Sequence, residues 1–122
     1  MHRYIYKICT HALWEEATRN EVFIGAEIDI RDGYIHFSSP DQIAETLALH
    51  FARQPDLVLV EVETAHLDIK WEPSRGGQLF PHLYDRLPLG PVQAVWPLAL
   101  DGDGQHILPP LPLSTEQKAS KT

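Results

Sequence analysis

The chain has 122 residues, 43% of them hydrophobic and 22% charged, with a formal net charge of −7. That length and mix fit one soluble globular domain, and an acidic balance without a Lys/Arg cluster excludes a general nucleic-acid binder, though not a small anionic ligand held by local groups. The single cysteine, Cys9, leaves no disulfide partner within the chain; with no apolar signal region after Met1 and no apolar run near the roughly 18 residues that span a bilayer, the expectation is a cytoplasmic protein with no membrane partner.

Tyr4 to Cys9 is rich in aromatic and β-branched residues and predicts a first strand. Lys7 inside it is either an edge-strand lysine that discourages aggregation or a cation facing a cleft. Thr10 can cap a helix running to about Arg19, with Leu13, Trp14 and Ala17 as its apolar stripe and Asn20 closing it in the left-handed conformation. Val22 to Arg31 mixes an apolar start, Gly25 and the alternating run Glu27-Ile28-Asp29-Ile30; it predicts an extended segment or loop over the core.

Asp32-Gly33 signals a turn that launches a short strand, Tyr34 to Ser38. Strand side chains alternate, so Tyr34, His36 and Ser38 share one face and Ile35 and Phe37 the other. A helix start follows at once: Ser39 as cap, Pro40 at the first helical position, Gln42 three residues after the cap. This corner sets a His and a Ser beside free backbone N–H groups, which favour anions. The second helix runs to about Arg53, with Ile43, Leu47 and Phe51 repeating every four residues.

Leu57 to Val62 predicts a central strand, apolar on both faces in its first half; Glu61 carries little functional weight in that reading. Leu67 to Glu72 predicts a half-buried strand, and Leu79 to Tyr84 another, with Phe80, His82 and Tyr84 on one face. Pro81 argues against a central position there, because proline removes a ladder donor. Val92 to Leu100 alternates as a last strand. Residues 1–108 form one domain, and 109–122, rich in Pro, Ser, Thr and Lys, read as a disordered tail. The order of elements predicts an α+β fold, mainly antiparallel, with two helices near the N-terminal half.

Of seven histidines, His36 and His82 stand apart. Each lies in an alternating aromatic strand with hydroxyl-bearing neighbours on its own face. The alternative for each is a buried histidine satisfied by a backbone carbonyl. No His-Glu-x-x-His motif or paired Cys spacing predicts a metal. No nucleophile elbow is present, and Cys9 reads as an inert buried thiol. What remains is an anion-suited corner, two histidines, two hydroxyls and Glu72 as a candidate carboxylate. Such a set suits a phosphorylated small molecule, or acid–base and oxocarbenium chemistry on a sugar.

Tyr6-Lys7-Ile8, Gly33-Tyr34-Ile35-His36-Phe37-Ser38 and Phe80-Pro81-His82-Leu83-Tyr84 together resemble the bacterial domain-of-unknown-function family 952, over about residues 3 to 108. Asp85 departs from the glycine usual at that position, so the turn there is expected to differ. The resemblance implies an ADP-ribosyltransferase-like split β-sandwich and, with it, a nucleotide cleft and NAD as a candidate cofactor. Fold alone does not imply activity. The expected function is binding of a nucleotide or other phosphorylated small molecule, with NAD-using ADP-ribosyl- or phosphotransferase chemistry. His36, His82 and Glu72 are the candidate catalytic residues, and Lys7, Tyr34, Ser38, Ser39 and Tyr84 the candidate ligand-binding residues. Two alternatives stay open: a non-catalytic regulatory module of the same fold, and a metal-dependent hydrolase using His36 and His82.

Overall fold

In the computed structural model, which describes residues 2–114, the elements follow the order β1 (Tyr4–Thr10), α1 (His11–Asn20), β2 (Val22–Phe23), α2 (Glu27–Asp32), β3 (Ile35–His36), α3 (Ile43–His50), β4 (Leu57–Glu63), β5 (Ile69–Pro73), β6 (Leu79–Leu83), β7 (Leu87–Pro88) and β8 (Val92–Leu98). Two three-stranded sheets carry the fold, ordered β1-β4-β8 and β3-β6-β5, with β2 and β7 forming a small ribbon. All the pairings are antiparallel, as expected of the α+β class.

The central strand β4 shows why its sequence is apolar on both faces. Val58, Val60 and Val62 pack with Ile5, Cys9, Trp14 and Phe23 against α1 and the second sheet. Leu57 and Leu59 pack on the other face with Tyr6, Ile8, Ile43 and Leu47 of α3. The two sheets meet at an isolated bridge, where Tyr6 and Ser38 exchange both backbone hydrogen bonds at 2.8 Å.

Local signals explain most element boundaries. Thr10 caps α1 by accepting the Leu13 N–H on its hydroxyl (3.1 Å). The left-handed cap at its end is Glu21, one residue after the expected Asn20. The Ser39/Gln42 start holds, with the Ser39 N–H donating to Gln42 Oε1 at 3.0 Å. It opens as a 3₁₀ turn, Pro40–Gln42, and the helix proper ends at His50, short of Arg53.

Four expectations need correction. First, Glu27–Asp32 is not extended but a third short helix, α2. Asp29 sits at its third position and accepts the Ala26 N–H (2.7 Å), and Gly33 closes it in the left-handed conformation. An alternation of only four residues gave way to those two caps. Second, β6 is central despite Pro81. The Pro81 carbonyl accepts from Phe37 N–H at 3.0 Å, so that edge of Pro81 faces the point where β3 has just ended. A missing N–H there breaks no ladder bond. Third, Lys7 is not an edge guard: its side chain is 6% exposed. Fourth, residues 109–114 are not free of structure: Leu113 is 1% exposed, and Leu111 packs against the α3 core. Residues 115–122 of the expected tail lie outside the described residues. Among the described residues no helix is long and apolar enough to cross a membrane.

Candidate functional site

The paired register places His36 directly opposite His82 across β3 and β6. Their ring centroids are 5.4 Å apart, edge to face. Tyr34 packs on both, 4.6 Å from His36 and 4.2 Å from His82, and Tyr84 lies 4.9 Å from Tyr34. Ile35, Phe37 and Leu83 take the opposite, core-facing side. The period-two alternation thus delivers one polar aromatic face.

That face borders a cavity of about 460 Å³, within the ordinary size of small-molecule sites. Of the residues singled out in the sequence, Lys7, His36, Ser38 and His82 line it. Thr46 and His50 of α3, Ile28 of α2, Tyr6 of β1 and Ser74 line it as well. These were missed because their elements, far apart in sequence, meet only after folding. Tyr34, Tyr84, Glu72 and Ser39 are not in the lining. A second cavity, of about 350 Å³, lies between α3 and the turn around Asp103 and takes none of the predicted residues.

The two histidines are wired differently. A carboxylate only accepts, so a ring nitrogen bonded to one carries a proton. His36 Nδ1 donates to Asp29 Oδ1 at 2.6 Å, and its Nε2 lies 3.1 Å from Asp32 Oδ2. Both nitrogens therefore face carboxylates from α2. His82 Nδ1 donates to Glu72 Oε1 at 2.7 Å, and Nε2 has no hydrogen-bond partner among the described residues. The neutral ring in that arrangement keeps its lone pair on Nε2, at the cavity wall. Glu72 Oε1 also accepts from the Tyr84 hydroxyl (2.8 Å), and these bonds, His82 first, hold the Glu72 carboxyl below its usual range.

Asp29 is the residue that the sequence reading overlooked. It is 1% exposed and gathers four donors: Ala26 N–H, His36 N–H, His36 Nδ1–H and Lys7 Nζ at 2.8 Å. Burial alone would raise its carboxyl, but the His36 hydrogen bond and the Lys7 charge outweigh it and hold it at about 2. Gly25 makes room for this knot. It has φ 107°, and a Cβ there would sit 2.7 Å from the Asp29 Cβ.

Hydrogen-bond accounting then defines what the wall offers. Two of the three Lys7 Nζ protons go to Asp29 Oδ2 (2.8 Å) and the His36 carbonyl (3.0 Å). Thr46 donates its hydroxyl proton to Gln42 O (2.9 Å), so Ser38 donates to Thr46 Oγ1 (3.0 Å) and its own oxygen keeps lone pairs. At the wall, His82 Nε2 and Ser38 Oγ offer acceptor lone pairs, beside the remaining Lys7 N–H and the polar side chains of His50 and Ser74. Ser39 does not supply an anion site: its N–H goes to Gln42 and its hydroxyl donates to Asp41 (2.7 Å). Cys9 is buried, and burial first of all pushes its thiol up to about 11. Among the described residues no group of three or more His, Cys, Asp or Glu side chains is placed to hold a metal ion.

With this geometry in hand, comparison with known proteins is informative. A family model described as "Protein of unknown function (DUF952)" matches residues 8–95. The crystal structure of protein CC0527 from Caulobacter crescentus is similar, with 44% sequence identity and a TM-score of 0.81, covering 86% of this chain and 94% of that one. The solution NMR structure of CC0527 gives 44% identity and a TM-score of 0.77, covering 85% and 91%. Among curated proteins none matches.

Proposed function

The chain belongs to the DUF952 family of proteins of unknown function, and from that premise we propose that its cavity binds a nucleotide, with NAD as the candidate, on an ADP-ribosyltransferase-like scaffold. One observation carries this reading: two facing histidines, each fixed by carboxylate, border a cavity in which His82 Nε2 and Ser38 Oγ offer acceptor lone pairs side by side with the donors of His50 and Ser74. Acceptors suit ligand groups that donate, such as ribose hydroxyls or a carboxamide N–H. The carboxylates behind the wall also favour a neutral or cationic group over phosphate. The ribose end of the nucleotide therefore lies against His82 and Ser38, and its phosphates face away, toward His50 and Ser74.

The chemistry that fits is transfer of an ADP-ribosyl group. The bond between nicotinamide and ribose C1 breaks, and its electron pair leaves with nicotinamide. An acceptor hydroxyl adds to C1, and its proton passes to His82 Nε2, the base poised for it. Glu72 is then a positioning residue that fixes the His82 tautomer. His36, with both nitrogens occupied, holds the wall in place.

Calorimetric titration with NAD and ADP-ribose tests the reading, with free nicotinamide measured alongside. Binding of NAD that is lost in His82→Ala and weakened in Ser38→Ala is expected. No heat with millimolar NAD would overturn the NAD assignment.

A further inference from the structure

Glu61 is fully buried in the central strand β4 and plays no part in the site described above. Its carboxylate accepts three hydrogen bonds: from the Tyr6 hydroxyl at 2.8 Å, from the Leu113 N–H at 2.6 Å and from the Ser114 N–H at 2.9 Å. A buried carboxylate persists only where such donors compensate its lost hydration. Two of its three donors come from the C-terminal end of the described chain, more than fifty residues away in sequence. The third belongs to a cavity-lining side chain, Tyr6. Tyr6 also forms, through its backbone, the bridge to Ser38, another cavity-lining residue.

We infer that residues 111–114 act as a strap that positions the cavity wall through Glu61: strap amides hold the carboxylate, the carboxylate holds Tyr6, and Tyr6 holds the seam with Ser38. The strap is seated by apolar contact as well, since Leu113 is buried and Leu111 packs on the α3 cluster. If the strap lifts, Glu61 loses two of its three donors while remaining inside the sheet. The Tyr6–Glu61 pair must then shift toward water, and the Tyr6–Ser38 seam loosens with it. Burial, first of all, and then the Glu61 hydrogen bond push the Tyr6 hydroxyl well above its ordinary value, so it stays the donor of this pair. Glu61 is thus a positioning residue for the nucleotide site. Its effect on ligand rests on the function proposed above; its effect on the seam does not.

Amide hydrogen exchange on the full chain tests the inference with two variants that act from opposite ends. Glu61→Gln keeps the side-chain volume but sets an NH2 against backbone donors, and Ser114→Pro removes one strap donor without touching the cavity. In both, the Leu113 amide is expected to exchange about tenfold faster, as loss of a charge-assisted hydrogen bond implies. The Tyr6 amide, bonded to the Ser38 carbonyl, is expected to quicken in step, and NAD affinity to fall several-fold. Strap amides that open while the Tyr6 amide stays as protected as in the parent would overturn the coupling, as would a Leu113 amide indifferent to both changes. A parent chain that binds no NAD would remove the nucleotide reading, and the Tyr6 amide would still decide whether the strap governs the seam.

Discussion

His36 and His82 are register partners on one face of one sheet, yet their rings are partnered differently. His36 is enclosed by α2, with a carboxylate at each ring nitrogen. His82 is anchored at one nitrogen by a half-exposed glutamate, and its other nitrogen has no hydrogen-bond partner among the described residues. The α2 corner is therefore the region whose charges hold the fold, and His82 the residue that meets the ligand in the function proposed above. Residue type did not decide this difference. The number of carboxylates brought to each ring by neighbouring elements did.

The largest way to break the contrast is Asp29→Ala. It leaves Lys7 buried without its carboxylate and strips His36 of two bonds, so a loss of about 3–5 kcal/mol is expected in denaturant unfolding. Acid gives the same result more gently. The Asp29 carboxyl, ordinarily near 3.8, titrates at about 2 in the folded protein. Its contribution, about 2 kcal/mol, is fully present above the ordinary value and is lost as pH falls through about 2. Stability measured between pH 5 and pH 2 should fall on that account in the parent chain and show a weaker decline in Asp29→Asn. Next, the two histidines separate by readout. His36→Ala should lower the thermal midpoint more than His82→Ala, whereas His82→Ala should remove NAD binding; equal effects on both readouts would erase the distinction. The smallest effect is expected from Glu72→Gln. The folded protein should melt near the parent temperature, while the acid limb of any activity shifts, because the Glu72 carboxyl lies below its usual range through its bonds to His82 and Tyr84.

Much of this was legible in the chain itself. Thr10 as cap, the Ser39/Gln42 start, the doubly apolar β4 and the alternation that puts each of His36 and His82 beside hydroxyl-bearing neighbours all rest on patterns within about ten residues, where periodicity and capping act directly; that the two histidines face each other is set by the pairing of β3 with β6. The readings that failed depend on partners farther away. Glu27-Ile28-Asp29-Ile30 alternates like a strand, and only the Ala26, Lys7 and His36 donors converging on Asp29 make it a helix turned inward. Pro81 could occupy a central strand because β3 is two residues long, a fact set by the neighbour. Glu61 carried little weight within its own strand, and its role depends on the amides of residues 113 and 114, far along the chain. In each case the local signal was sound and tertiary contact overrode it.

Gly25 shows what this implies for inheritance. It has no side chain and does not line the cavity, so a scan for functional groups passes over it. Yet any Cβ at that position would collide with Asp29 and force a backbone conformation that other residues resist. In a library of random variants, Gly25 should behave as if it were the ion pair itself: substitutions there should share the phenotype of Asp29→Ala, and selection should purge both together.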